Sequence, residues 1–419
     1  MIESDKCYIT SDEELVVEAN NLHSALKSNR YKASFVNVLE NGLNFEDDYV
    51  LLGFKSPFYL KSCRGLGMRM HRIKDDLENL VEICGRDRIV PVVDSVTQKT
   101  ENMTFGNFVK EFEKQEKCLN LISLEVSDTC LDRKVLGPKK VYEIDWVNNT
   151  YPDLLKDNRS HIWGRHPKIA KYCLLSSKGS FTDFHIDFGG TSVWYHVLKG
   201  KKIFWLVEPT EKNLQLYKDW KLKPSDGRFF GDIVKECQKV ELEEKSLFLM
   251  PSGWIHAVYT PEKSVVFGGN FLHFDDVEMQ LRITKLQNEA MNIPVESRFP
   301  HLEQLHWYVA DHVVRCCGGR SFIDQSVLSK SRNIKKVGEK KLFSASQIIG
   351  LDRLASHLSS KRNVIVEGIN DLVGLYTAFS DAVLCLSNPS ESYHYNADNY
   401  PLAGFRRCIK EDKATCKFN

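Results

Sequence analysis

The sequence predicts an α+β protein built on a double-stranded β-helix, a jelly roll, with helical regions on its N-terminal and C-terminal sides. Three observations carry this expectation. Between Lys171 and His273 lie short β-like runs (YCLLSS, TSVWYHVL, KKIFWLVEP, SLFLMPS, WIHAVYT, SVVFGGNFLH), several of them separated by Gly and Pro turn signals, the pattern of an antiparallel sandwich or barrel. After His273 the apolar spacing changes to the three-to-four period of helices. The composition, 42% hydrophobic and 27% charged, supplies enough apolar material for a large core and excludes a wholly disordered chain.

The elements follow in order. Residues 1 to about 45 read as a charged, helical entry segment, and 49–70 as short strands and turns. Arg88 to Thr97 is a strand rich in Val and Ile. Thr104 caps a helix whose Phe105, Phe108, Val109 and Phe112 share one face. An insert over 210–240 interrupts the β region with a helical piece (TEKNLQLYKDW) and a loop. Asp275 or Asp276 then caps a helix through Met279, Ile283, Leu286 and Ala290, and a second runs through Leu302, Leu305, Val309 and Val313. Two more carry Ile348, Leu351, Leu354 and Leu358, and Leu372, Leu375, Tyr376, Phe379 and Val383, the latter with Asn370 as cap. The expected division is 1–145, a mixed region packing on the core; 146–275, the β-helix; 276–390, a helical region; and 391–419, a flexible tail.

Lys and Arg number 57 against 56 Asp and Glu, a net charge of +1, which argues against a bulk electrostatic binder of nucleic acid. Lys330 to Lys341 is a local exception with six positive residues and one acidic one, most simply a solvated loop. The N-terminus has no apolar signal region, and no stretch reaches the ~18 apolar residues of a membrane span. The 12 cysteines include no C-x-x-C pair, so we expect buried thiols rather than a disulfide framework or a zinc knuckle.

The chemistry concentrates in FTDFHIDFGGTSVWYH, residues 181–196. His185 and Asp187 are two apart, so on a strand both face the same side. His256 follows 69 positions after Asp187 on another expected strand. Two imidazoles and one carboxylate make the facial triad of non-haem Fe(II) oxygenases, with coordination sites left open. A His-x-Asp alone is weak, since a chain with 13 histidines contains about one by chance. Its apolar and aromatic surroundings strengthen it, because an unpartnered Asp there is costly.

The run FTDFHIDFGGTSVWYHVLKGKKIFWL, with PSGWIHAVYTP and VVFGGNFLH, resembles the JmjC-domain histone lysine demethylases, whose core is cupin-like. More narrowly the chain resembles the lysine demethylase 2 type, the F-box and CXXC JmjC proteins that act on histone H3 lysine 36. That likeness extends through VPVVDSVTQKTENMTFGNFV, LNLISLEVSDTCL and EIDWVNNTYP upstream and LDRLASHL and VIVEGINDLVGL downstream. The CXXC, PHD, F-box and leucine-rich elements of full-length relatives are not found, so the chain reads as a catalytic fragment or a short relative.

The resemblance implies Fe(II), 2-oxoglutarate and O2, with His185, Asp187 and His256 as both catalytic and metal-binding residues. It implies Lys202, Thr182, Tyr195 and Asn120 as contacts to 2-oxoglutarate; Lys201 falls on the opposite face of its strand from Lys202. The implied reaction gives succinate and formaldehyde from a methylated lysine. The implied partners are the histone H3 tail and the nucleosome, with no membrane, at most weak and non-specific DNA contact, and residence in the nucleus. Two alternatives share the motif: demethylation of histone H3 lysine 9 or 27, as in PHD-finger JmjC relatives, and a catalytically silent JmjC scaffold for chromatin proteins. A protein hydroxylase would need the same iron site. One transition metal per chain is expected.

Overall fold

A computed structural model describes residues 22–387, apart from 72, 74–76, 98, 158–159, 161–164, 224–227 and 329–342. Residues 1–21 of the entry segment, the basic loop from Lys330 and the 391–419 tail therefore lie outside the described residues. The chain forms two compact units that interleave in sequence rather than following one another. The first takes residues up to Tyr142 with Lys168–Phe271 and Arg282–Arg298; the second takes Glu143–Pro167, Leu272–Leu281 and residues from Phe299 on.

The first unit holds one mixed sheet of 11 strands among the described residues. The strands are β1 (Asn37–Leu39), β2 (Phe58–Leu60), β3 (Ile89–Asp94), β4 (Lys99–Thr104), β5 (Leu119–Glu125), β6 (Tyr172–Ser176), β7 (Phe181–His185), β8 (Ser192–Val207), β9 (Gln238–Leu242), β10 (Leu247–Met250) and β11 (Ile255–Phe271). Their order is β1-β2-β10-β8-β11-β6-β5-β3-β4, with β7 paired to β11 and β9 to β8. Only β1 and β2 run parallel among these pairs; the others are antiparallel, as a jelly-roll core requires.

The sequence suggested more and shorter strands than are found. TSVWYHVL and KKIFWLV are one strand of 16 residues, β8, and WIHAVYT with SVVFGGNF forms one of 17, β11. The Gly and Pro between those runs mark bulges rather than turns. The β8–β11 ladder shifts register between Tyr259 and Glu262, again between Glu262 and Val265, and again between Val265 and Val266. Gly200 sits opposite this region with φ of 80°, and a Cβ there would come within 2.3 Å of the Lys263 carbonyl oxygen. Side-chain alternation changes parity across it. Tyr195 and Val197 face the inner core before Gly200, and Phe204 and Leu206 face it afterwards.

The helix α1 (Phe105–Lys114) carries the expected features: Thr104 accepts a hydrogen bond from the Asn107 N–H, and Phe105, Phe108, Val109 and Phe112 are buried. The second unit is helical. After the 3-10 turn Phe274–Asp276, α2 (Val277–Lys285) begins; the capping side chain is His273, which accepts from the Asp275 N–H, rather than Asp275 or Asp276. A ring nitrogen serves as acceptor where a carboxylate was expected. Then come α3 (Leu302–Cys316), α4 (Ala345–Ser359) and α5 (Leu372–Ser387). Ser344 and Gln347 close a capping box on α4. At α5 the capping oxygen belongs to Asp371, which accepts from the Gly374 N–H at 2.7 Å, one position beyond the expected Asn370. Among the described residues no helix is long and apolar enough to cross a membrane, and the cysteines are free thiols.

Gly200→Ala tests the bulge. A side chain in left-handed backbone costs about 1–3 kcal/mol before any clash. In urea titration the variant is expected to be less stable than wild type by at least that amount, with a lower midpoint; equal midpoints would show that the ladder absorbs a Cβ without strain.

Candidate metal centre

β7 ends at His185, and the chain continues extended to Asp187, at φ −58° and ψ 145°, before turning into the 3-10 segment Phe188–Gly190. Asp187 thus lies just beyond the strand on which alternation placed it, yet extended backbone keeps it on the side of His185. His256 is directly opposite His185 in the β7–β11 pairing. Their ring centroids are 4.1 Å apart, and His256 Nε2 lies 3.8 Å from Asp187 Oδ2. Each of the three offers one ligand atom within 4.8 Å of the others.

Both imidazoles are oriented from behind. His185 Nδ1 lies 2.9 Å from the Asp183 carbonyl oxygen, and His256 Nδ1 lies 3.1 Å from that of Trp254. A protonated Nδ1 donating to a carbonyl fixes the tautomer in which Nε2 carries the lone pair, the arrangement that supports metal ligation. Burial pushes the His256 imidazole down to about 4, which holds it neutral. Burial pushes Asp187 the other way, up from the usual carboxylate range, against the opposing pull of His185 and a hydrogen bond with Asn270. Two imidazole nitrogens beside a carboxylate that lacks full compensation fit a divalent cation.

The triad lines a cavity of about 200 Å³ together with Asn120, Thr182, Tyr195 and Lys202. All seven residues singled out in the sequence therefore meet at one space. Lys202 is 2% exposed, and its Nζ donates to Ser176 Oγ and Thr260 Oγ1, both at 2.8 Å. Ser176 Oγ donates in turn to Asn120 Oδ1 at 2.8 Å, and Asn120 Nδ2 donates to Thr182 Oγ1 at 3.2 Å. Lys201 instead pairs at the periphery with Glu241 and Glu243 at 2.7 and 2.9 Å. Tyr195 packs edge-on to Phe204, with centroids 5.3 Å apart.

Sequence reasoning missed Ser176, Thr260, Asn270 and Gln287. Gln287 sits in a π-helical turn, Leu286–Ala290, about 100 residues from the Asp187 loop to which it bonds. Its amide donates to the Ile186 and Asp187 carbonyls at 3.1 and 3.3 Å and accepts from the Gly189 N–H at 2.9 Å. A polar residue at a buried position of an otherwise apolar helical period was the one available signal.

Residues 85–277 match the family model described as a Cupin-like domain. The chain is 40% identical over 324 residues to lysine-specific demethylase 2A of Xenopus tropicalis, covering 75% of this chain and 28% of that protein. It is 43% identical over 326 residues to lysine-specific demethylase 2B of Mus musculus, covering 75% and 25%. Residues 85–277 are a cupin-like domain. Lysine-specific demethylase 7A of Danio rerio is similar to this chain over a shorter span, 40% identical over 265 residues, 62% of this chain and 29% of that protein. The chain spans about a quarter of the length of the demethylase 2 relatives it matches.

Gln287→Ala is expected to weaken Mn²⁺ binding at the His185–Asp187–His256 triad about 10–100-fold while the chain stays folded, the usual penalty for losing a residue that orients ligands. Equilibrium dialysis measures it; an unchanged affinity would remove Gln287 from that role.

Proposed function

We propose that the chain is an Fe(II)- and 2-oxoglutarate-dependent dioxygenase that demethylates mono- and dimethyl-lysine of histone H3, at lysine 36. The observation that carries this reading is the pairing of two groups on one cavity wall system: a His185–Asp187–His256 triad, and a fully buried Lys202 whose hydrogen-bond partners are hydroxyls rather than carboxylates. A buried ammonium of that kind fits an anionic occupant. Bound at the triad with 2-oxoglutarate and O2, iron supplies the oxidation that releases an N-methyl carbon as formaldehyde, with succinate and carbon dioxide as the other products.

The chain's own residues then do the positioning. Lys202 meets the far carboxylate of 2-oxoglutarate. Thr182 adds a hydroxyl, and because Asn120 donates to its oxygen, the Thr182 proton is directed away from Asn120 and toward an acceptor. Ser176 and Thr260 keep Lys202 Nζ in place from behind. Tyr195 walls the same space. The longer match to demethylases 2A and 2B than to 7A favours lysine 36 over lysines 9 and 27. The reading carries with it the histone H3 tail of nucleosomes as partner, weak DNA contact at most, and the nucleus as location. Retention of every triad residue favours turnover over a silent scaffold.

Lys202 gives this reading a pH signature. Burial lowers its pKa from 10.5 to about 7. The folded chain therefore binds fewer protons than the unfolded one between those values, so the burial cost is full below pH 7 and fades as pH rises. A carboxylate favours the ammonium, so 2-oxoglutarate binding must take up a proton wherever the amine is neutral. Its Kd is expected to rise as pH goes from 7 to 9, by up to about tenfold per unit. Lys202→Met should weaken binding and flatten that profile while leaving metal binding intact. A wild-type Kd that is flat over this range would assign the carboxylate to another cation.

Mass spectrometry on methylated histone H3 peptides, with succinate measured in parallel, tests the activity itself. Loss of 14 mass units per methyl (about the mass of CH₂, the same unit counted in side-chain transfer energies) from the lysine 36 peptide is the expected result. Faster loss at lysine 9 or 27 would move the specificity, and no succinate with any peptide would favour the scaffold.

A further inference from the structure

The helical unit holds a second constellation of metal-ligating side chains, Glu303, His306 and His357, with one ligand atom from each within 4.8 Å of the others. Glu303 and His306 are three apart on α3 and share a face; His357 reaches them from the last turn of α4. Glu303 Oε2 and His357 Nε2 are 3.5 Å apart. That is close to the edge of a tetrahedron whose corners lie about 2.1 Å from a zinc ion. The His306 ring stands edge-on to that of His357, with centroids 5.2 Å apart at 84°, and His306 is 3% exposed.

An ordinary ion pair leaves one feature of this group unexplained. His306 Nδ1, His357 Nε2 and Glu303 Oε2 are each shielded from solvent, and none makes a hydrogen bond. Buried polar atoms in native proteins nearly always have a partner, so three orphans on side chains that bring ligand atoms within 4.8 Å of one another call for a shared one. Lys361 Nζ lies 3.3 Å from Glu303 Oε1, the other carboxylate oxygen, and so does not satisfy Oε2.

We propose that Glu303, His306 and His357 form a second metal site, for Zn²⁺ or a similar borderline divalent ion, with water as a fourth ligand. Two imidazoles and one carboxylate suit zinc, whereas calcium and magnesium favour all-oxygen sets. The ion ties α3 to α4 and gives the three orphaned atoms their partner. The site revises the expectation of one metal per chain, which searched for cysteine pairs and passed over a Glu-x-x-His on a helix.

The test uses the full chain carrying Asp187→Ala and His256→Ala, so that the cavity triad no longer competes. After chelation, dialysis against Zn²⁺ and removal of excess, bound zinc is measured. About one zinc per chain is expected, together with a rise in thermal midpoint on loading and the visible absorption of four-coordinate cobalt when Co²⁺ replaces zinc. Adding Glu303→Gln, which keeps the side-chain shape, or His357→Ala at the rim should abolish all three signals while circular dichroism stays unchanged. No bound zinc in the triad-disabled chain, or zinc unaffected by Glu303→Gln, would overturn the proposal. Neither result bears on the demethylase reading, whose triad is absent from the test.

Discussion

The antiparallel ladder between β8 and β11 is the constraint on which the centre depends, and its irregularity matters as much as its regularity. A strand that alternated perfectly from Tyr195 would turn Lys201 inward and send Lys202 out. Gly200 prevents this. Its left-handed backbone absorbs the slip opposite Glu262 and Val265, so the second half of β8 presents Lys202 and Phe204 where the first half presents Val193 and Tyr195. Lys201 is left to the Glu241 and Glu243 pair at the periphery. A one-residue change in parity thus decides which of two adjacent lysines enters the cavity. No side chain other than hydrogen fits at the switch, because the Lys263 carbonyl stands against it.

The same ladder fixes the triad. β7 pairs only with β11 among the described strands, and its register sets His185 against His256. The charges at the two sides of the cavity are then held in opposite states of imbalance. Asp187 has its pKa raised by burial and Lys202 has its lowered by burial, so each side is poised to gain from an occupant of opposite charge. The hydroxyls of Ser176 and Thr260 are part of this design. They satisfy two of the three donors of Lys202 without neutralising it, which a carboxylate in the same place would do. Gln287 plays the corresponding part for the Asp187 loop by bonding only to its backbone, leaving the carboxylate to the metal side.

Much of the site was legible because its chemistry is local. His185, Asp187, Tyr195 and Lys202 fall within 18 consecutive residues, and the strand that returns with His256 carries its own apolar pattern. Thr104, with its Phe-rich helix face, was legible for the same reason: cap and stripe lie within one turn of each other. What failed to show was whatever depends on distance in sequence. Gln287 and Asn270 look like ordinary polar residues until the chain brings them to Asp187. Gly200 and the Pro261 region read as turns, since a bulge inside a long strand leaves the same residue signature as the end of a short one. The serial division of the chain likewise gave no hint that Lys168–Phe271 and Arg282–Arg298 would join one unit while Leu272–Leu281 joined the other.

The contrast between the two histidine–carboxylate groups follows from that logic. His185 and Asp187 sit in a strand context that makes an acidic residue conspicuous, so two positions suffice to raise the question of a metal. Glu303 and His306 sit on an amphipathic helix, where a glutamate and a histidine three apart read as an ordinary surface pair. Only packing distinguishes them. α3 turns His306 to the interior, α4 brings His357 across, and the atoms that would meet water on an isolated helix are enclosed with nothing to bond. An unmet hydrogen-bonding demand is a property of the folded chain, not of any segment of it. It is therefore the kind of signal that a structure carries and a sequence motif does not.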